Sequence, residues 1–251
     1  MVAGEADSFK DFQDRREVLL EVDDIVFHPD HKLIHISRGR THHFPDLAIL
    51  KLKKPLNLRS PYTRDVCLPH QGTEMDWNLY KNETDKTKTA RNCFVGGFGK
   101  GSRSELEDPG SFYYSKGKRT MNSGDINVVE WWQCKGRPIW KELTFLGNEN
   151  SLCMRVTHDH GTRPCQGDSG SPVVCKEDGG VYIQYGIVSN GRVWSCGSND
   201  LTISVKVSHY SDWINEQVVK LSSTNTSSVT SDILHYLWVI LAVSCSWLTF
   251  V

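Results

Sequence analysis

The 251 residues carry 29 Lys+Arg against 30 Asp+Glu, a formal net charge of −1, with 38% hydrophobic and 10% aromatic residues. So even a balance gives no electrostatic footprint for nucleic acid and excludes it as a predicted partner. The length suffices for one sizeable domain or for two small packed barrels with a core.

In chain order, the opening Met1-Val-Ala-Gly-Glu-Ala-Asp7 is polar and lacks the apolar stretch of a signal peptide, so none is predicted within this chain. Short β-rich runs separated by turn signals follow, a pattern of an all-β sandwich or barrel and not of βαβ units. Predicted strands are 18–27, 47–52, 93–97, 126–132, 172–175, 182–188 and 201–207. Residues 71–92 are polar and lysine-bearing and are predicted to be a long exposed loop, and 102–124 a second loop. Residues 208–221 are predicted to be a helix, with Ser211 and Asp212 as candidate N-caps and Trp213, Ile214, Val218 and Leu221 at helical spacing. The folded domain is thus expected over 1–221, followed by a Ser/Thr-rich linker over 222–232.

The tail 233–251 is largely apolar and has no Asp, Glu, Lys or Arg. Its length suits a bilayer-crossing helix. Small residues at Ser222-Ser223-Thr224 or Ser227-Ser228, a polar spacer and a terminal apolar run equally match a GPI-attachment signal. A buried core helix is the third reading. The first two predict membrane association through the tail.

The eight cysteines include no C-x-x-C pair, which speaks against a structural zinc site. Spread through a Gly-rich, strand-like sequence, they predict disulfides in an extracellular or cell-surface protein. Two sequons, at Asn82 and Asn225, agree as glycosylation sites. Neither a metal nor a cofactor is predicted.

The most informative segment is Cys165-Gln-Gly-Asp-Ser-Gly-Ser-Pro172. Flanking glycines let the Ser169 hydroxyl stand on a tight turn with backbone close to a substrate carbonyl. The N–H groups of Gly167 and Ser169 can then converge on a developing oxyanion. An ordinary turn could carry Gly-Asp-Ser-Gly alone. Cys165 four residues before Ser169, and Pro172 leading into Val173-Val174-Cys175, argue for the specific reading.

This segment resembles the nucleophile loop of chymotrypsin-like (trypsin-fold) serine proteases, and matching pieces run in the family's order. His28-Pro29 followed by Asp46-Leu-Ala-Ile-Leu-Lys-Leu52 is similar to the strand bearing the triad aspartate. Val66-Cys-Leu-Pro69, Cys93-Phe-Val-Gly-Gly-Phe-Gly99, Gly186-Ile-Val-Ser189 and residues 203–214 resemble the segments that follow it. The resemblance implies a trypsin-like double β-barrel with an incomplete first barrel, a C-terminal helix and then the hydrophobic tail. It implies disulfides Cys93–Cys175, Cys134–Cys153 and Cys165–Cys196, with Cys67 lacking its family partner. It also implies Ser169 as nucleophile and Asp46 as the carboxylate that orients a general-base histidine.

That histidine precedes the aspartate in the family, in an Ala-Ala-His-Cys context, and no His-Cys pair occurs here. His28, His31, His35, His42 and His43 lie upstream of Asp46 but read as solvated loop histidines. Met1–Asp7 resembles a stretch that follows the family's histidine. The activation terminus that pairs with the aspartate before the nucleophile, here Asp168, is then also missing, and Asp168 is expected to lack its partner charge. The expectation is a serine endopeptidase domain of a secretory-pathway, membrane-associated protein, inactive in this chain, with protein or peptide substrates or inhibitors as partners. The alternative is a non-catalytic, protease-like binding module. Pocket residues depart from the trypsin-like pattern: Arg163 stands where an Asp is usual, Thr202 near a pocket-wall glycine, and Ser189-Asn190-Gly191 replaces Ser-Trp-Gly. Cleavage after Lys or Arg is therefore disfavoured.

Overall fold

The computed structural model describes residues 2–3, 18–35, 41–75, 89–99, 121–136, 143–156, 164–165, 167–177, 179–190 and 201–223. Six antiparallel strands of its second half close into a barrel: β7 (Thr89–Gly97), β8 (Asn122–Val129), β9 (Ser151–Val156), β10 (Pro172–Lys176), β11 (Tyr182–Asn190) and β12 (Thr202–Lys206). Around the barrel the order is β10-β11-β12-β9-β8-β7, with β7 returning to β10 through Val95↔Val173 and Cys93↔Cys175. Inside lie Val95, Ile126, Val128, Leu152, Met154 and Val173.

The apolar run Val173-Val174-Cys175 does not alternate with polar residues because both faces of β10 are covered. Val173 and Cys175 enter the barrel, while Val174 joins Leu47, Ile49, Ile187, Val205 and Ile214 in a second cluster. That cluster is the seam where the first half of the chain and the C-terminal helix meet the barrel.

The first half holds three two-stranded antiparallel pairs among the described residues. These are β1 (Val2–Ala3) with β2 (Val18–Leu19), β3 (Val22–Phe27) with β6 (Ala48–Leu52), and β4 (Lys32–His35) with β5 (Thr41–Phe44). β6 faces the seam through buried Ile49, and Leu52 packs with Leu20 and Leu56 in a separate small cluster, whereas Ile25 and Phe27 on β3 stay 49% and 57% exposed. This is the all-β architecture, with a closed barrel, that the sequence led us to expect.

Several predicted boundaries are corrected. The strand over 126–132 ends at Val129, and Trp131–Lys135 forms a short helix, α1. One helical turn swings Cys134 inward to its bond with Cys153, which an extended chain would carry past. Of the loop over 71–92, Thr89 onward is already β7 and Met75 is buried in the barrel core; residues 76–88 lie outside the described set. β9 and the β4–β5 hairpin escaped prediction. The hairpin residues, Lys-Leu-Ile-His and Thr-His-His-Phe, are too polar and too short for a strand signal.

The C-terminal helix α2 runs Val207–Ser223, directly off β12. Ser211 and Asp212 therefore lie inside it and cap nothing. Ser211 donates its hydroxyl to Pro69 O at 2.7 Å and to Val207 O at 3.2 Å. The segment before it grips the helix: Gly72 N donates to Ser208 O, Gln71 Nε2 to His209 O, and Asp212 N to Gln71 Oε1. Nearly buried Lys206 pairs with Glu74 at 2.6 Å and donates to Asn148 O. None of the described helices is long and apolar enough to cross a membrane; the tail 233–251 and the linker lie outside the described residues.

Two histidines, His28 and His42, are drawn into this packing, and the exposed His209 borders it. The His28 ring lies 4.8 Å from that of Trp213 and 5.3 Å from that of Tyr210, centroid to centroid. His42 is buried against Phe145, and His209 packs edge-on to Tyr210. Burial lowers the pKa of all three below 6.5, opposed by Asp30 at His28, Asp46 at His42 and Glu149 at His209. A base whose folded pKa is depressed binds fewer protons folded than unfolded, so stability rises with pH across that window. The contribution is complete above about 6.5 and lost as pH falls through the folded values. The urea midpoint is expected to drop between pH 7.5 and 5.5, and His42→Gln to flatten the slope. An unchanged slope in the variant would remove His42 from the account.

Candidate active site

The nucleophile loop is tied down on both sides of Ser169. Gly167 and Gly170 have φ of +99° and +88°, which a side chain rarely tolerates, and they turn the chain so that Ser169 is exposed. Asp168 N donates to Cys165 O, Ser171 N to Asp168 O, and Gly170 N to Val188 O at 2.8 Å. Val188 N returns a bond to Ser171 O, also at 2.8 Å. The N–H groups of Gly167 and Ser169, the two assigned to an oxyanion hole, have no acceptor among the described residues.

The same strand carries the link to the first half. Ser189, next after Val188 on β11, donates its hydroxyl to Asp46 Oδ2 at 2.7 Å. Ser189, which the resemblance assigned to the specificity pocket, thus also holds Asp46. The candidate nucleophile and the candidate triad carboxylate are therefore both fastened to one short stretch of β11. His42, Asp46, Asn150, Ser189, Ser204 and Tyr210 line a shallow pocket at this junction.

Asp168 is 7% exposed. Without assuming any charged partner, its carboxylate accepts Gly99 N at 2.8 Å through Oδ1 and Cys165 N at 2.9 Å through Oδ2. Backbone amides just past β7 and of its own loop thus hold the carboxylate. Gly99 was missed as a site residue. The Gly96-Gly97-Phe98-Gly99 run was its signal, because a Cβ at Gly97 or Gly99 would overlap the Asp168 carboxylate.

Among the other predicted residues, Thr202 is buried on β12 opposite Met154. Cys93–Cys175 and Cys134–Cys153 are bonded, and Cys165 is disulfide-bonded. Arg163, Gly191, Cys196, Asn82 and Asn225 lie outside the described residues. His28, His31, His35, His42 and His43 are not loop residues as a group: His35 is on β4, and His42 and His43 are on β5. Strand register turns His42 inward and His43 outward.

A serine on a glycine-flanked turn, a buried aspartate beneath it and a second aspartate hydrogen-bonded across to the adjoining strand define a barrel-type serine-protease domain. The chain belongs to the Trypsin family, whose model matches residues 2–214. It is 28% identical over 209 residues to the urokinase-type plasminogen activator of Gallus gallus, covering 82% of this chain and 41% of that protein. It is 27% identical over 177 residues to the hepatocyte growth factor activator serine protease of Mus musculus, covering 69% of this chain and 23% of that one. The chain thus spans less than half the length of either relative.

Proposed function

We propose that the chain is the serine endopeptidase-type domain of a membrane-associated protein of the secretory pathway, acting on protein or peptide chains. Ser169 is the nucleophile, Asp46 orients the general-base imidazole, and the Gly167 and Ser169 amides receive the oxyanion. The observation that carries this reading is the 2.7 Å Ser189–Asp46 bond beside the Gly170–Val188 pairing, which fastens both acting residues to the same strand. Both relatives are named as activators and one as a serine protease, which favours a protein substrate. The disulfides favour an oxidising compartment, and the apolar tail favours a membrane anchor.

These 251 residues are inactive by themselves. A general base must reach both Asp46 and Ser169. His42 and His43 sit too close to Asp46 in sequence to span the two, while His28 packs on α2 and His31 engages Pro45. A fluorophosphonate probe is expected to label this chain no more than its Ser169→Ala variant; labelling at Ser169 would overturn the inactivity. A chimera extended at its N-terminus with a family segment bearing Ile-Val-Gly-Gly and Ala-Ala-His-Cys is expected to gain labelling. A folded chimera that stays unlabelled favours the second reading, a protease-like binding module, which Arg163 and buried Thr202 support.

A further inference from the structure

The β4–β5 hairpin brings together two imidazoles that the proteolytic reading does not use. Cross-strand register sets Leu33 opposite His43 and Lys32 opposite Phe44, so His31, just before β4, falls diagonally across from His43. His31 Nδ1 lies 2.8 Å from the carbonyl oxygen of Pro45, and His31 Nε2 lies 3.3 Å from His43 Nδ1. The ring planes are within 16° of parallel, with centroids 5.2 Å apart.

A carbonyl oxygen only accepts, so in neutral His31 the proton sits on Nδ1 and Nε2 presents its lone pair toward His43. When His43 carries its proton on Nε2, its Nδ1 aims a second lone pair at the same space. Two nitrogens on a tetrahedral zinc, each about 2.0–2.1 Å from the metal, stand about 3.3 Å apart. The separation here already meets that value. The Pro45 carbonyl is also the kind of outer partner that fixes the tautomer of a metal-bound histidine. His43 is exposed and His31 half-buried, so an ion reaches the pair from solvent.

We propose that His31 Nε2 and His43 Nδ1 form a two-histidine site for a divalent transition metal of borderline softness, zinc or copper. No group of three or more His, Cys, Asp or Glu suited to a metal occurs among the described residues, so the ion keeps water in its remaining positions. The site is independent of the proteolytic reading. Its occupancy ties the turn after β3 to β5 three residues before Asp46, and so stiffens the segment that delivers that carboxylate. The absence of a C-x-x-C pair says nothing about it, because its ligands meet only through strand pairing.

Zinc titration of the full chain is expected to give one site that His31→Gln or His43→Gln weakens about tenfold or more. The double substitution His158→Gln/His160→Gln is expected to leave it unchanged. With copper, the electron paramagnetic resonance signal is expected to show coupling to two imidazole nitrogens, falling to one in either hairpin variant. If a hairpin variant fails to fold, the unaltered chain still decides: zinc is expected to shift the ring ¹⁵N resonances of His31 and His43 while those of His28 and His42 stay. Absence of binding below about 1 mM, equal affinity in folded hairpin variants, or ring shifts confined to other histidines would each overturn the site.

Discussion

Replacing Cys93 and Cys175 together by alanine is expected to lower the unfolding free energy by about 4–5 kcal/mol. The two cysteines stand opposite each other on β7 and β10 and close a span of 82 residues. On the chain-entropy account a cross-link stabilises by restricting the unfolded ensemble, and a span this wide restricts it strongly. Both residues are almost fully buried in the barrel core, so the lost sulfurs also remove packing. The same substitution at Cys134 and Cys153, which close 19 residues, is expected to cost about 3 kcal/mol. Urea denaturation of the two variants measures both. A smaller loss at Cys93–Cys175 than at Cys134–Cys153 would show that local strain, not loop closure, governs these bridges.

The second large effect is expected at Asp168. Asp168→Ala strips the acceptor from two amides, Gly99 N and Cys165 N, beneath the nucleophile loop. Each buried donor left unmet costs about 1–3 kcal/mol, so the pair costs about 2–6 kcal/mol. Asp168→Asn keeps one accepting oxygen and turns an NH₂ toward the other amide, so its loss is expected to be smaller. Equilibrium unfolding separates the two. Equal losses would mean that charge rather than the two amide bonds matters here. Gly99→Ala is expected to resemble Asp168→Ala in its effect on the loop, because its Cβ would occupy the carboxylate's place.

The second barrel was readable because its strands announce themselves. Val173-Val174-Cys175 is an apolar run of the kind that suits a strand buried on both faces, and Leu201-Thr-Ile-Ser-Val-Lys-Val207 alternates apolar and polar residues with the period of a strand. Helix α2 was legible from Trp213, Ile214, Val218 and Leu221, but its start was not. Strand β12 passes into it without a break, and polar Ser211 mimicked a cap while its hydroxyl serves Pro69. The hairpin β4–β5 had no such signature. Its strands hold four residues each, and three of those eight residues are histidines, whose burial depends on which side of the ribbon each one falls.

The amino-acid order alone determined the glycine-flanked Ser169 turn, the all-β architecture and the helix that closes it, because those follow from backbone freedom and from the periodicity of apolar side chains. Only the tertiary structure decided that Ser189 holds Asp46, that Gly99 holds Asp168, and that His42 is buried while His31 and His43 meet. These pairs join residues 12 to 143 positions apart. A hydrogen bond between distant residues has no period in a sequence; it exists once strand pairing has set which side chains share a face.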